Sequence, residues 1–177
     1  MNALPLFAIA ALAALSVWLF FRSLSRPPEV GEAAPDFALP DQSARVRRLA
    51  DTAGRWRVLF FYPRDDTPGC TREACALRDA HADLLALDAV LLGVSVDGVA
   101  SHAAFARKFS LPYPLLADAD GRVAAAYGSL FRLGPLRFAR RRSFLVAPDG
   151  RIAARWLKVN PACHADAIAA ALRRLQS

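Results

Sequence analysis

The chain has 177 residues and a formal charge of +7, with 23 Lys plus Arg against 16 Asp plus Glu. That length suits one domain with a short appendage. Its three cysteines are too few for a disulfide scaffold, and a Cys-x4-Cys pair without a second Cys/His pair makes no zinc site. No aromatic–basic module for nucleic acid is present, so attraction to anionic lipid explains the basic balance better.

Residues 3–21 (ALPLFAIAALAALSVWLFF) carry no charge. As a helix they reach roughly 28 Å, close to the apolar thickness of a bilayer. No basic n-region precedes the run and no small-x-small cleavage site follows it, which argues against a removed signal. Its apolar character on every face argues against a core helix. Residues 1–22 are therefore expected to be a transmembrane anchor, and residues 23–30 (from SLSRPPEV) a polar linker to a domain at 31–177. Arg22 and Arg26 lie behind the run with no Lys or Arg ahead of it. Basic flanks stay inside, so a single-pass membrane protein with a cytoplasmic domain is expected; the alternative is a periplasmic one.

Within the domain, Asp36–Leu39 and Arg45–Leu49 read as a hairpin around DQSA. Arg57–Tyr62 and Val90–Val96 read as buried strands, continuous in apolar character as parallel strands are. Thr71–Leu87 reads as one helix, and Ser101–Phe109 as another capped by Ser101. Leu115–Ala117 is a short strand and Arg122–Tyr127 a short helix. Ser143–Val146 and Ile152–Trp156 are strands joined at Pro148-Asp149-Gly150, and Ala165–Leu175 closes the chain as a helix. The order predicts α/β, a mixed central sheet with helices on both faces.

The most informative stretch is Tyr62–Asp79, YPRDDTPGCTREACALRD. It sets Cys70 where a buried strand gives way to a helix start. A thiol in such a place meets the positive end of the helix dipole and unpaired N–H groups, which favour its thiolate form. Cys75 lies five residues on. An activated thiol with a second close by marks a redox centre.

Pro63-x-x-x-Thr67-x-x-Cys70 matches the signature of the peroxiredoxins (the AhpC/TSA superfamily), and TPGCTxEAC resembles their peroxiredoxin Q, or bacterioferritin-comigratory, branch. DFALPDQ, VLLGVSVDGVASHAAFARKF, LPYPLLADADGRVAAAYG and Arg-x-Ser-Phe-Leu-Val at 141–146 agree, so the resemblance spans about residues 30–175. It implies a thioredoxin-like fold and thiol-dependent reduction of hydrogen peroxide and organic hydroperoxides, with no cofactor and no metal. By the same resemblance Cys70 is the peroxidatic cysteine and Cys75 the resolving one, within one chain. Thr67 offers its hydroxyl to the thiolate and the peroxide, Arg141 completes the pocket, and Pro63 shields it. The register to Ser143-Phe144 selects Arg141 from the run Arg140–Arg142. Thioredoxin or a similar dithiol is the expected reductant, the membrane the expected location, and a monomer the expected state.

Two physical constraints accompany that reading. Lowering a thiol pKa from about 8.5 to about 6 raises the thiolate fraction at pH 7 roughly 30-fold. Nucleophilicity falls meanwhile by roughly 13-fold at a Brønsted slope of about 0.45, leaving a net gain of about two-fold. The remaining acceleration has to come from stabilising the transition state. Second, residues five apart on a helix have Cα atoms roughly 8.7 Å apart, beyond the roughly 7 Å limit of a disulfide. If Cys70 and Cys75 share a helix, it must unwind in each cycle.

Other residues receive quieter expectations. Cys163, at the start of the last helix, is a passive thiol or else a second resolving partner. His81, His102 and His164 lack ligand spacing and read as surface or capping residues. Glu73 reads as a helix-start charge, or as a hydrogen-bonding member of the site. SLFRLGPLRFAR, residues 129–140, is shorter and more apolar than the same region of the branch. It reads as a sheet edge packed on the core or as a membrane-contacting lobe. A thioredoxin-type thiol–disulfide oxidoreductase is the main rival function, but would need Cys-x-x-Cys; a non-enzymatic redox sensor is the other.

Overall fold

Trp56–Phe61 (β3) is buried from Arg57 onward. With a period of two, it sends Val58 and Phe60 into one apolar layer and Leu59 and Phe61 into another. A strand dry on both faces needs a cover on each side. The computed structural model, which describes residues 26–133 and 136–177, supplies both covers. β3 is the middle strand of a five-stranded sheet. It pairs parallel with Ala89–Ser95 (β4) and antiparallel with Arg142–Val146 (β8). Leu115–Ala117 (β5) and Ile152–Trp156 (β9) form the edges, in the order β5-β4-β3-β8-β9.

One face is covered by Pro68–Asp79 (α1), His81–Ala86 (α2), Val99–Phe109 (α3) and His164–Gln176 (α5). They contribute Leu77, Leu84, Phe105, Ile168 and Leu172 to the Val58 layer. The other face is covered by Arg122–Ala126 (α4), which places Val123 and Ala124 beside Phe37, Tyr127 and Phe144. The hairpin of Ala38–Pro40 (β1) and Val46–Arg48 (β2) forms as expected. Buried Asp41 closes it, its Oδ1 accepting the N–H groups of Ser43 at 2.8 Å and Arg45 at 3.1 Å. The mixed α/β architecture agrees with the expected sheet and its two-sided cover.

Several local expectations are corrected. The single helix expected over Thr71–Leu87 is two, broken at Ala80, where ψ opens to 0°. Leu77 before the break and Leu84 after it are both fully buried in the core. Ser101 does not cap α3, whose N-cap is Gly98; its hydroxyl donates instead to Asp65 Oδ2 at 2.7 Å. Residues 129–140 contain a separate hairpin, Leu130–Leu133 (β6) with Leu136–Ala139 (β7). Ala139 is buried against the core while Leu133 and Leu136 are exposed, and Phe131 stacks on Phe138 at 4.7 Å.

The predicted membrane span at 3–21 lies outside the described residues. Among the described residues no helix is long and apolar enough to cross a membrane. The described end of the expected linker, residues 26–30, lies against the domain: Arg155 Nη1 donates to Pro28 O at 3.2 Å, and Arg155 Nη2 pairs with Glu29 Oε2.

Candidate active site

β3 ends at Phe61, and the turn that follows delivers Thr67 in an extended conformation (φ −96°, ψ 150°) as the N-cap of α1. Pro68 occupies the first helical turn, where a missing N–H costs nothing and a fixed φ suits the helix. Cys70 is therefore in the first turn, whose N–H groups have no intrahelical partner. It is 2% exposed.

Arg141 enters from the chain just before β8. Its Nη2 donates to Cys70 Sγ at 3.1 Å, and its Nη1 donates to Glu73 Oε2. Gly69 makes room for it, since a Cβ there would lie 3.2 Å from Arg141 Nη2. The three arginines of the run do three different things. Arg142 Nη1 donates to Gly128 O at 2.6 Å, and the Arg140 guanidinium lies 5.7 Å from the centre of the Phe131 ring. Only the middle one turns to the sulfur.

Glu73 is not a helix-start surface charge: it is 1% exposed. One oxygen takes the arginine. The other, Oε1, has no hydrogen-bond partner and faces His164 Nε2 at 3.9 Å. His164, expected at the surface, is likewise buried, with Nε2 2.7 Å from Ser143 Oγ and its ring edge-on to Trp156. His102 is also buried, for a parallel reason: Nδ1 lies 2.8 Å from Asp65 Oδ2. Both histidines lie inside because a core partner takes a ring nitrogen.

Burial pushes Glu73 up to about 7, against the pull of Arg141. Burial would lower the Arg141 guanidinium, but Glu73 and Cys70 outweigh it and raise it. A simple ion pair would not raise both partners. The carboxylate side chain is 1% exposed and the guanidinium 18%, so the rise of Glu73 reflects lost hydration and that of Arg141 reflects pairing. His164 is pushed down to about 4, by burial first and then by Arg141.

These shifts predict a pH dependence of stability. Glu73 rises from 4.5 to about 7, so the fold keeps a proton the unfolded chain releases, and stability falls as pH rises through that window. His164 drops from 6.5 to about 4, so its contribution is present above 6.5 and is lost as pH falls toward 4. The slopes oppose and nearly cancel between pH 4.5 and 6.5. Glu73→Gln is expected to unmask the histidine, making stability rise by about 2 kcal/mol across that window. His164→Asn is expected to give the reverse slope. Urea titrations at both pH values measure this; flat profiles in both variants would contradict the assignment.

Thr67 is half-buried, and its hydroxyl donates to Arg64 O at 3.2 Å rather than to the sulfur. Pro63 is half-buried in the same turn. Cys75 lies on α1 with Cys70, and both thiols are free. Cys163 is exposed, precedes α5, and is not brought to this site. No group of three or more His, Cys, Asp or Glu among the described residues could hold a metal ion.

Residues 30–155 match the family model described as "AhpC/TSA family". A putative peroxiredoxin bcp from Coxiella burnetii is 42% identical over 135 residues, covering 74% of this chain and 89% of that protein. Peroxiredoxin Bcp of Bacillus subtilis is 38% identical, covering 84% of this chain and 95% of that protein. The crystal structure of peroxidoxin BcpB from Mycobacterium tuberculosis superposes with a TM-score of 0.80 at 37% identity, over 85% of this chain and 99% of its own. A bacterioferritin comigratory protein of Xanthomonas campestris, solved in relation to its alkyl peroxide reduction, superposes at 0.77 and 32% identity over 85% of this chain and 98% of its own. These matches bear out the thioredoxin-like fold. They also correct the expected single-pass membrane location: 95% of the Bacillus protein is used by the match, which leaves it no counterpart of a 3–21 span. By sequence and by fold, the chain belongs to the AhpC/TSA family, among the peroxiredoxins of the Bcp and peroxiredoxin Q type.

Proposed function

We propose that this thiol peroxidase works through Cys70 as the attacking sulfur and Cys75 as the resolving one. The Cys70 thiolate attacks the terminal oxygen of a hydroperoxide. An S–O bond forms, the O–O bond breaks, and the departing alkoxide or hydroxide takes a proton. Cys70 is left as a sulfenic acid. The Cys75 sulfur then displaces water from it to form a disulfide, and a thioredoxin-like dithiol returns both thiols by exchange. The observation that carries this reading is the Arg141 fork, with Nη2 3.1 Å from Cys70 Sγ and Nη1 on Glu73. It puts a fixed positive donor where charge passes from sulfur to the leaving oxygen. Thr67 and Pro63 line the approach, Thr67 turning its hydroxyl from Arg64 O to the peroxide. Alkyl hydroperoxides join hydrogen peroxide as substrates, as for the Xanthomonas relative. With both cysteines on one helix, a single chain completes the cycle. Peroxide turnover coupled to thioredoxin tests the function; reduction of protein disulfides with no peroxide turnover would favour the thioredoxin-type rival.

Resolution requires α1 to open, because its cysteines are roughly 8.7 Å apart at Cα in an intact helix. Besides the Arg141 fork, two further bonds from outside the helix oppose that opening. Buried Tyr113 donates its hydroxyl to Ala74 O at 2.7 Å, and Arg78 Nη1 donates to Phe109 O at 2.9 Å. Opening strands the buried hydroxyl, at about 1 kcal/mol or more. Tyr113→Phe is therefore expected to speed disulfide formation roughly five- to tenfold. Amides of residues 70–77 should exchange hydrogen faster in the oxidised wild type than in the reduced form. Unchanged protection beside a mass-mapped Cys70–Cys75 disulfide would refute the unwinding.

A further inference from the structure

Behind the proposed site lies a buried polar cluster that the cycle does not use. Asp65, in the turn between β3 and α1, is 7% exposed. Its Oδ1 accepts the Tyr62 hydroxyl at 2.8 Å, and its Oδ2 accepts the Ser101 hydroxyl at 2.7 Å and meets His102 Nδ1 at 2.8 Å. Its N–H donates at 2.9 Å to Asp97 Oδ2, which also accepts the Ser95 hydroxyl at 2.7 Å. Groups from the ends of β3 and β4 and from α3 thus converge on one turn residue. Burial alone would raise the Asp65 carboxyl, but His102 and the two hydroxyls together hold it below its ordinary value. A carboxylate there requires the proton on His102 Nδ1.

His102 is fully buried, and its Nε2 has no hydrogen-bond partner. An unpaired ring nitrogen makes histidine a costly residue for packing alone, so the bond to Asp65 is what this side chain supplies. The next residue shows what that bond restrains. Asp66 has φ +53°, a left-handed conformation that costs a non-glycine residue energy and persists only when its surroundings hold it. Lys108 Nζ holds its carboxylate from outside, at 2.9 and 2.6 Å. Thr67 follows directly and caps α1 three residues before Cys70.

We propose that Asp65 and His102 are positioning residues for the peroxide step, holding the strained turn so that Thr67, at the start of α1, can turn its hydroxyl to a peroxide at Cys70. The proposal rests on the reading of Thr67 as a pocket residue. If His102 acts through Thr67, its loss cannot harm a site that Thr67 has already left. The test is stopped-flow reaction of the full chain with hydrogen peroxide, using His102→Phe, Thr67→Val and the double variant. His102→Phe is expected to slow the step about tenfold, and the double variant to be no slower than Thr67→Val alone. Alkylation of Cys70 by iodoacetamide, which needs no threonine hydroxyl, should change less than about twofold. His102→Asn, whose amide can donate to Asp65, should recover most of the rate. Should His102→Phe fail to fold, Asp65→Asn is expected to show the same non-additivity with Thr67→Val.

Multiplying losses in the double variant, or alkylation falling in step with the peroxide rate, would overturn the proposal and leave the cluster as structural support alone. A wild-type rate in Thr67→Val would overturn the reading of Thr67 itself. That failure shows without any change at His102.

Discussion

Cys70→Ser is expected to abolish peroxide consumption, by at least about a thousandfold. The substitution is close to isosteric, and the serine oxygen can still accept from Arg141 Nη2, which lies 3.1 Å from the sulfur it replaces. The helix start, the fork and the buried Glu73 all survive, so the loss measures the sulfur itself. Cys75→Ser leaves that sulfur and the fork in place. Its expected behaviour is one burst of consumption equal to the protein concentration, followed by arrest in the presence of thioredoxin. Stopped-flow traces of the two variants separate the roles. Normal reactivity in Cys70→Ser would remove Cys70 from the chemistry, and unimpaired recycling in Cys75→Ser would move resolution to another thiol. Cys163 is the remaining one, exposed and outside the site.

The positions of Cys70, Thr67 and Arg141 in the fold were legible because each lies at an element boundary set by local chemistry. Pro68 fixes a helix start, and β8 begins at the register that aims Arg141. The sheet was legible for a similar reason: strands dry on both faces read as unbroken apolar runs. What was missed lies on helix faces. Cys70, Glu73, Ala74 and Leu77 are all buried, a spacing of three, four and seven that marks one face of α1. The same periodicity groups His102 with Phe105 and Ala106, and His164 with Ile168 and Leu172. Read by period rather than by residue type, it would have moved Glu73 and both histidines inward. Their partners are another matter. Asp65 and His102 are 37 positions apart, and only the docking of α3 against the β3–α1 turn joins them. Nothing local marks the break at Ala80 either, where the flanking Asp79 and His81 supply neither a Gly nor a Pro as a stop signal.

Arg141→Lys is expected to slow the peroxide step by about a hundred- to a thousandfold while changing iodoacetamide alkylation of Cys70 only a fewfold. A planar guanidinium spans two acceptors at once: Nη2 on Cys70 Sγ and Nη1 on Glu73 Oε2. A lysine ammonium is one point charge and cannot keep that fork. Placed on Glu73 it leaves the sulfur, and placed on the sulfur it leaves the buried Glu73 side chain without its partner. Were Arg141 only a means of populating thiolate, little would be at stake, since lower pKa and lower nucleophilicity nearly cancel to a gain of about two-fold. Peroxide differs from an alkyl iodide in where its negative charge goes. Both reactions are in-line displacements, but breaking the O–O bond concentrates charge on a small oxygen that accepts strong hydrogen bonds, within reach of the same guanidinium. Departing iodide is large and diffuse and needs no such donor. Arg142→Lys supplies the control, because that side chain donates to Gly128 O instead, and its peroxide rate should stay within about twofold of wild type. Equal losses of both reactions in Arg141→Lys would show that the arginine holds the fold of the site and not its transition state.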